Sequence, residues 1–297
     1  MRLPSLESFV IESSQIGDRL EVSVALPSGP ASGPALLPVI YVLDAAFNFQ
    51  TTAAAGAWLA TASRLAGGGF PPSVVVGVGY PTDDLAEVMA RRARDLTPTR
   101  GGAPEGVRLP PFPLGLGGAP RFLDALVGEV IPQVEARYPA DPGDRTLVGH
   151  SFSGLFALFT LFRRPAAFGR YLVVSPSIWW DDRAILRQER AWADDRADLP
   201  ARVFLAVGRD EQAPGGGWKN EGFPDHAIAA VRQVDNCREL CRRLVLRRHR
   251  SLELESVVLD GEFHLTVGAA AITRGLIWLF SDVAVHAERV AGTPAGA

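Results

Sequence analysis

Apolar positions along the chain fall into short blocks of two kinds. Arg19-Leu20-Glu21-Val22-Ser23-Val24-Ala25-Leu26 alternates, and with Ser8-Phe9-Val10-Ile11 and a turn at Gly17-Asp18 it predicts an antiparallel hairpin on a sheet edge. Pro38 to Leu43, Ser73 to Gly79, Thr146 to Val148, Tyr171 to Val174 and Ala201 to Val207 are instead continuous apolar runs, the pattern of strands buried on both faces. Leu252 to Leu259 reads as the last strand. Helical periods separate these runs, at about 50–65, Arg121 to Tyr138, Leu155 to Phe162, His226 to about Leu246, and from Gly261-Glu262-Phe263-His264 onward. Strands alternating with helices signal crossover units. The expected architecture is therefore α/β, a mostly parallel central sheet with an antiparallel N-terminal edge and helices on both faces, in one domain over 1–297.

The pattern breaks between Tyr80 and Pro120. Six prolines (Pro81, Pro98, Pro104, Pro110, Pro111, Pro113) and a run of glycines interrupt it. Long irregular stretches inside a compact domain are commonly active-site lids, so 80–120 is expected to be a lid or long active-site loop. A second loose loop is expected from Gln212 to Pro224.

Composition narrows the function classes. A formal net charge of -3 over 297 residues argues against nucleic acid as a partner, because phosphate binding needs a concentrated positive field. Cys237 and Cys241 lie four apart in a helical pattern and read as small apolar residues rather than a disulfide or metal site. The first fourteen residues carry Glu7 and Glu12 and lack a basic start followed by an apolar block. No apolar run approaches the length of a membrane span. The expectation is a soluble cytoplasmic protein without cofactor, acting on a small molecule, its oligomeric state open.

The candidate chemistry centres on Gly149-His150-Ser151-Phe152-Ser153-Gly154, which joins the Thr146–Val148 strand to a helix. A serine on so sharp a strand-to-helix turn, flanked by small residues, has its hydroxyl pushed out above the sheet, where a nucleophile must stand. A hydroxyl is a weak nucleophile until a base takes its proton and a third group orients that base. Of the five histidines, only His264 lies just after the last strand, on the edge where Ser151 emerges. His150 should point into the strand-helix junction; His226, His249 and His286 lie elsewhere. The acid should follow the preceding strand, where Glu211 is the first choice and Asp210 the second, with Asp181 or Asp182 more remote. Two backbone N–H groups must meet the developing oxyanion, one at Phe152 and one at Ala46, with Ala45 as the alternative. Trp179, Trp180 and Phe47 are candidates to line a substrate pocket. Arg92, with Arg91 and Arg94 beside it, could reach an anionic substrate, although Arg94 and Asp95 could equally form a structural ion pair.

Taken together, Tyr41-Val42-Leu43-Asp44, Arg94-Asp95-Leu96-Thr97-Pro98, the serine turn, Ser175-Pro176-Ser177-Ile178-Trp179-Trp180, Val207-Gly208-Arg209-Asp210-Glu211 and Gly261-Glu262-Phe263-His264 resemble one esterase branch of the α/β-hydrolase superfamily. That branch is esterase D-like and holds the trilactone-siderophore (enterobactin-type) esterases with several acyl and aryl esterases. The resemblance implies an α/β-hydrolase fold and a serine esterase with Ser151 as nucleophile and His264 as base. A siderophore trilactone or an aryl or short-chain acyl ester would be the substrate. The alternatives are an acyltransferase using the same acyl-enzyme, or a non-catalytic binding protein of the same fold. The family usually has glycine where this chain has Ser153 and Ala45, and an alanine forced to positive φ would be strained by about 1 kcal/mol.

Overall fold

The computed structural model describes residues 5–27, 36–66, 69–107, 109, 111–213 and 225–281. Eight strands form one sheet: β1 (Ser5–Ser13), β2 (Asp18–Leu26), β3 (Leu37–Leu43), β4 (Val74–Gly79), β5 (Ala140–His150), β6 (Arg170–Val174), β7 (Ala201–Gly208) and β8 (Leu252–Leu259). Their order is β1-β2-β4-β3-β5-β6-β7-β8. β1 pairs antiparallel with β2 and β2 with β4, while every pair from β4 to β8 is parallel. The alternating hairpin therefore forms the antiparallel edge and the continuous runs form the parallel body, as the two kinds of apolar block require.

Successive residues of each central strand face opposite sides. In β3, Val39, Tyr41 and Leu43 belong to one buried cluster and Ile40 and Val42 to the other. The second cluster is closed by α1 (Ala45–Ala66) and α9 (Val267–Phe280), through Phe49, Ala53, Ile272 and Leu276. The first is covered by α2 (Leu85–Leu96), α3 (Ala119–Ala125), α4 (Ile131–Arg137), α5 (Phe152–Arg163), α6 (Trp180–Asp195) and α8 (Gln233–Arg247). Cys237 and Cys241 are free and buried in that cluster, where burial raises both thiol pKa values.

Four expectations change. The stretch from Tyr80 onward is not irregular throughout: Asp84 caps a regular helix, α2, accepting from the N–H of Ala86 and Glu87, and it is the described residues among 97–118 that run without helix or strand. The helix expected over Arg121 to Tyr138 is interrupted by a π turn (Leu126–Val130) just before Pro132, whose missing N–H and bulky ring disfavour an ordinary turn there. The helix expected from His226 splits into α7 (Asp225–Val231) and α8 at Arg232, which is left-handed with φ 47°. The last helix begins at Val267, leaving His264 on the preceding turn rather than on the helix. Most of the loop expected over Gln212 to Pro224, and His286, lie outside the described residues.

β3 and β5 are neighbours whose connections leave in opposite directions along the sheet, β3 toward β4 and β5 toward β6. Ligands of open α/β sheets bind beside the carboxyl ends of the strands at such a reversal. The ends of β3, β5 and β6 share one backbone feature: Asp44 (φ 54°), Ser151 (φ 63°) and Ser175 (φ 41°) are all left-handed. Each turns the chain sharply off the sheet.

Candidate active site

Ser151 sits between β5 and α5 with φ 63° and ψ -118°, a sparsely populated conformation that costs a non-glycine residue about 1–3 kcal/mol. The surroundings hold it there. Its N–H donates to Val174 O at 3.0 Å and its carbonyl accepts from Leu155 N at 2.9 Å and Ser177 N at 3.2 Å. Glycine is required at position 149, where a Cβ would lie 2.1 Å from Ser153 O, and at 154, where it would lie 2.8 Å from Val174 O. Ser153, where the family has glycine, is fully buried; its hydroxyl donates to His150 O at 2.8 Å and accepts from His150 N at 2.9 Å. The extra hydroxyl closes the elbow on itself.

The Ser151 hydroxyl lies 3.0 Å from His264 Nε2, and His264 Nδ1 lies 2.7 Å from Glu211 Oε2. The imidazole thus presents one nitrogen to the serine and gives its other N–H to a buried carboxylate, the tautomer a general base needs. Glu211 is held from behind: Oε1 accepts from Gly208 N at 2.7 Å and from the buried Ser175 hydroxyl. A Cβ at position 208 would fall 2.3 Å from Glu262 O, so only glycine lets the acid turn approach the histidine turn this closely. The role of Ser175 could not be read from its motif, because it depends on β6 lying beside β7.

Asp210 makes its backbone bond to Glu262 O at 3.0 Å, while it is the Glu211 carboxylate that reaches His264. Asp181 and Asp182 stand away on the first turn of α6, both left-handed and facing Arg187. Accordingly, Glu211→Gln is expected to lower kcat by about 10⁴-fold, the scale seen when a triad acid is removed. Asp210→Asn should be nearly silent. The two rates on p-nitrophenyl butyrate check this, and the reverse ranking would move the acid one residue back.

His150 tilts against His264 with ring centroids 4.8 Å apart. Burial, then the neighbouring His264 and Arg92, hold its pKa well below the ordinary histidine value, offset in part by a hydrogen bond to the His264 backbone.

The two candidate oxyanion donors are backbone N–H groups at the starts of neighbouring helices. Phe152 opens α5 and Ala46 lies in the first turn of α1, and the Val42–Val148 register brings the end of β3 beside the end of β5. The residue with positive φ is Asp44, not Ala45, so the strain anticipated at Ala45 is absent and falls one position earlier. An aspartate there tolerates the left-handed region better than alanine.

Around the serine, Phe152 meets Trp179 at 6.0 Å, Trp180 at 5.3 Å and Phe112 of the 97–118 loop at 6.4 Å between ring centroids. Trp180 is 1% exposed and its Nε1 donates to Thr99 Oγ1 at 3.2 Å, so it is a packing residue that ties the loop down. Trp179 is half-buried and Phe47 is 47% exposed, leaving both able to contact substrate.

The arginines include the Arg94–Asp95 ion pair anticipated as the structural alternative, but not an Arg92 turned to substrate. Arg92 is buried, with Nε 3.1 Å and Nη2 2.8 Å from the two Asp44 carboxylate oxygens. Arg94 is bidentate to Asp95 at 2.7 and 2.8 Å and reaches Asp18 at 2.9 Å, while Arg91 pairs with Glu87. All three are held by carboxylates, which corrects the expectation that Arg92 meets substrate. Among the described residues no group of three His, Cys, Asp or Glu side chains could hold a metal, and no helix is long and apolar enough to cross a membrane.

The family model described as "Putative esterase" matches residues 13–213. The chain is 34% identical over 299 residues to the siderophore triacetylfusarinine C esterase of Aspergillus fumigatus, covering 96% of each. It is 30% identical to the ferri-bacillibactin esterase BesA of Bacillus subtilis, over 92% of this chain and 89% of that protein. The solved siderophore hydrolase EstB from Aspergillus nidulans superposes with a TM-score of 0.76 at 29% identity, over 95% of this chain and 98% of that one.

Proposed function

This chain belongs to the Esterase family and is a hydrolase of carboxylic esters, and from that premise we propose that its substrate is a siderophore macrolactone cleaved through an acyl-enzyme on Ser151. The observation that carries the mechanism is the continuous hydrogen-bonded line from Ser151 through His264 to the buried Glu211. As Ser151 Oγ attacks the ester carbonyl, its proton passes to His264 Nε2 while Glu211 stabilises the imidazolium. The tetrahedral oxyanion lies between the N–H groups of Phe152 and Ala46. Collapse expels the alcohol, which takes the proton from His264, and leaves the acyl-enzyme. Water, deprotonated by the same histidine, then releases the acid and restores the serine.

The substrate class rests on near full-length similarity to proteins named as siderophore esterases. The aromatic surroundings of Ser151 are compatible with it, since Trp179 and Phe47 offer flat apolar faces at the site. In this reading the 97–118 loop, through Phe112, acts as a lid over the elbow. A cytoplasmic location belongs to the same reading, supported by two free buried thiols that suit a reducing compartment.

The test compares kcat/KM on ferric siderophore trilactones, of the enterobactin and triacetylfusarinine C types, with that on p-nitrophenyl butyrate. A siderophore is expected to be preferred by about 10²-fold or more, because binding energy from the remote parts of a large substrate is realised in the transition state. Should the trilactones go untouched while the small ester turns over rapidly, the siderophore assignment is wrong and only the esterase remains.

A further inference from the structure

Helix α1 begins with an aspartate that does not cap it. Asp44 occupies the N-cap position, since its carbonyl accepts from Phe47 N at 2.9 Å and Asn48 N at 3.2 Å. An aspartate there ordinarily turns its carboxylate onto the N–H two or three residues ahead. Asp84 does so at the start of α2, accepting from Ala86 N at 2.8 Å with φ -74°. The corresponding group on α1 is the N–H of Ala46. Asp44, at φ 54°, sends both carboxylate oxygens to Arg92 instead, and Ala46 N–H has no partner among the described residues.

The arginine is fixed where it can do this. Its guanidinium lies 5.8 Å from the Phe47 ring centroid and 5.2 Å from that of Phe152, so it bridges the starts of the two helices that flank the elbow. Bidentate pairing and aromatic stacking together suit arginine and not lysine. Burial opposes the charge on Arg92, yet the Asp44 carboxylate beside it raises its pKa overall.

We propose that Arg92 is a positioning residue that withholds the Asp44 carboxylate from the N-terminus of α1, keeping the Ala46 N–H free for the oxyanion that forms at Ser151. Without the guanidinium, the carboxylate would swing onto the Ala46 N–H as an ordinary cap. It would remove one oxyanion donor and place a negative charge where negative charge develops. This inference rests on the serine-esterase mechanism above, but not on the siderophore as substrate.

The consequence is an unusual pattern of coupling. Arg92→Ala is expected to lower kcat on p-nitrophenyl butyrate by about 10²- to 10³-fold, the loss typical of one oxyanion donor, with KM nearly unchanged. Affinity for a trifluoromethyl ketone, which binds serine as an oxyanion adduct, should fall in parallel. Adding Asp44→Gly, which removes the carboxylate and accepts the positive φ, should restore most of the lost kcat. Arg94→Ala serves as the control for general loosening of α2: it should lower the unfolding temperature and leave kcat in place.

A rise in KM at constant kcat in Arg92→Ala would make Arg92 a substrate contact and overturn the proposal. So would a folded Asp44→Gly/Arg92→Ala protein no faster than Arg92→Ala, or an Arg94→Ala loss as large as that of Arg92→Ala. If Arg92→Ala does not fold, Arg92→Lys, with and without Asp44→Gly, is read by the same criteria. Wild-type protein inert toward every ester would overturn the esterase mechanism and this inference together, whereas an active wild type with an unaffected Arg92→Ala kcat would overturn this inference alone.

Discussion

Replacing Ser151 by alanine is expected to reduce kcat for ester hydrolysis by about 10⁶-fold, the scale measured when the nucleophile of a serine triad is removed. No other group at the site can form the acyl-enzyme, so what remains is the stabilisation offered by the oxyanion donors and by binding. The fold should survive, because among the described residues the Ser151 hydroxyl is hydrogen-bonded to His264 alone and the turn is secured by backbone bonds to Val174, Leu155 and Ser177. Alanine would still have to hold φ 63°, a strain the serine already bears. A fluorophosphonate probe should label wild-type protein once, at Ser151, and should not label the variant. Labelling of a different serine, or undiminished turnover by folded Ser151→Ala protein, would remove the basis of the proposed mechanism.

His264→Ala is expected to cost a similar factor, again about 10⁶-fold, since a nucleophile and its base act as a unit. The serine would keep its position but lose the acceptor 3.0 Å away, and Glu211 would lose the partner for Oε2. Two other histidines provide the comparison. His226 is exposed with Nε2 3.3 Å from Gly106 O, and His249 has Nδ1 3.4 Å from Ala197 O; neither touches the serine. His226→Ala and His249→Ala should therefore leave kcat essentially unchanged. Steady-state rates on p-nitrophenyl butyrate decide it, and an essential His226 would show that the wrong turn had been assigned to the base.

The two carboxylate choices, Glu211 and Asp210, show how far local sequence reaches. Both stand just after the same strand, and spacing ranks them without separating them. The separation comes from Gly208, whose lack of a Cβ lets the Glu262 carbonyl approach, so that Asp210 N–H is bonded there and the Glu211 side chain is turned under His264. That contact joins residues from the ends of different strands.

Ser151 and His264 were legible because their positions follow from chain order. Apolar periodicity marks the strands, a parallel sheet brings their carboxyl ends to one edge, and a serine on a glycine-flanked turn with a histidine after the last strand must then emerge together. The antiparallel edge, the parallel body and the helices on both faces follow from the same periodicity, because alternating and continuous runs bury one face or two. Regularity within 80–120 was obscured because the charged Leu85–Leu96 helix hides its core-facing side among arginines and carboxylates that pair with one another, and prolines stand on either side of it.

Arg92 marks the limit most clearly. In sequence it is one of three neighbouring arginines, each a plausible hand for an anion. Only the tertiary structure decides that it is buried against Asp44, 48 positions away, between two aromatic rings. Periodicity along one segment determines which elements form and which edge they share. The direction in which a long charged side chain points is determined by partners contributed from other segments, and those exist only once the sheet has assembled.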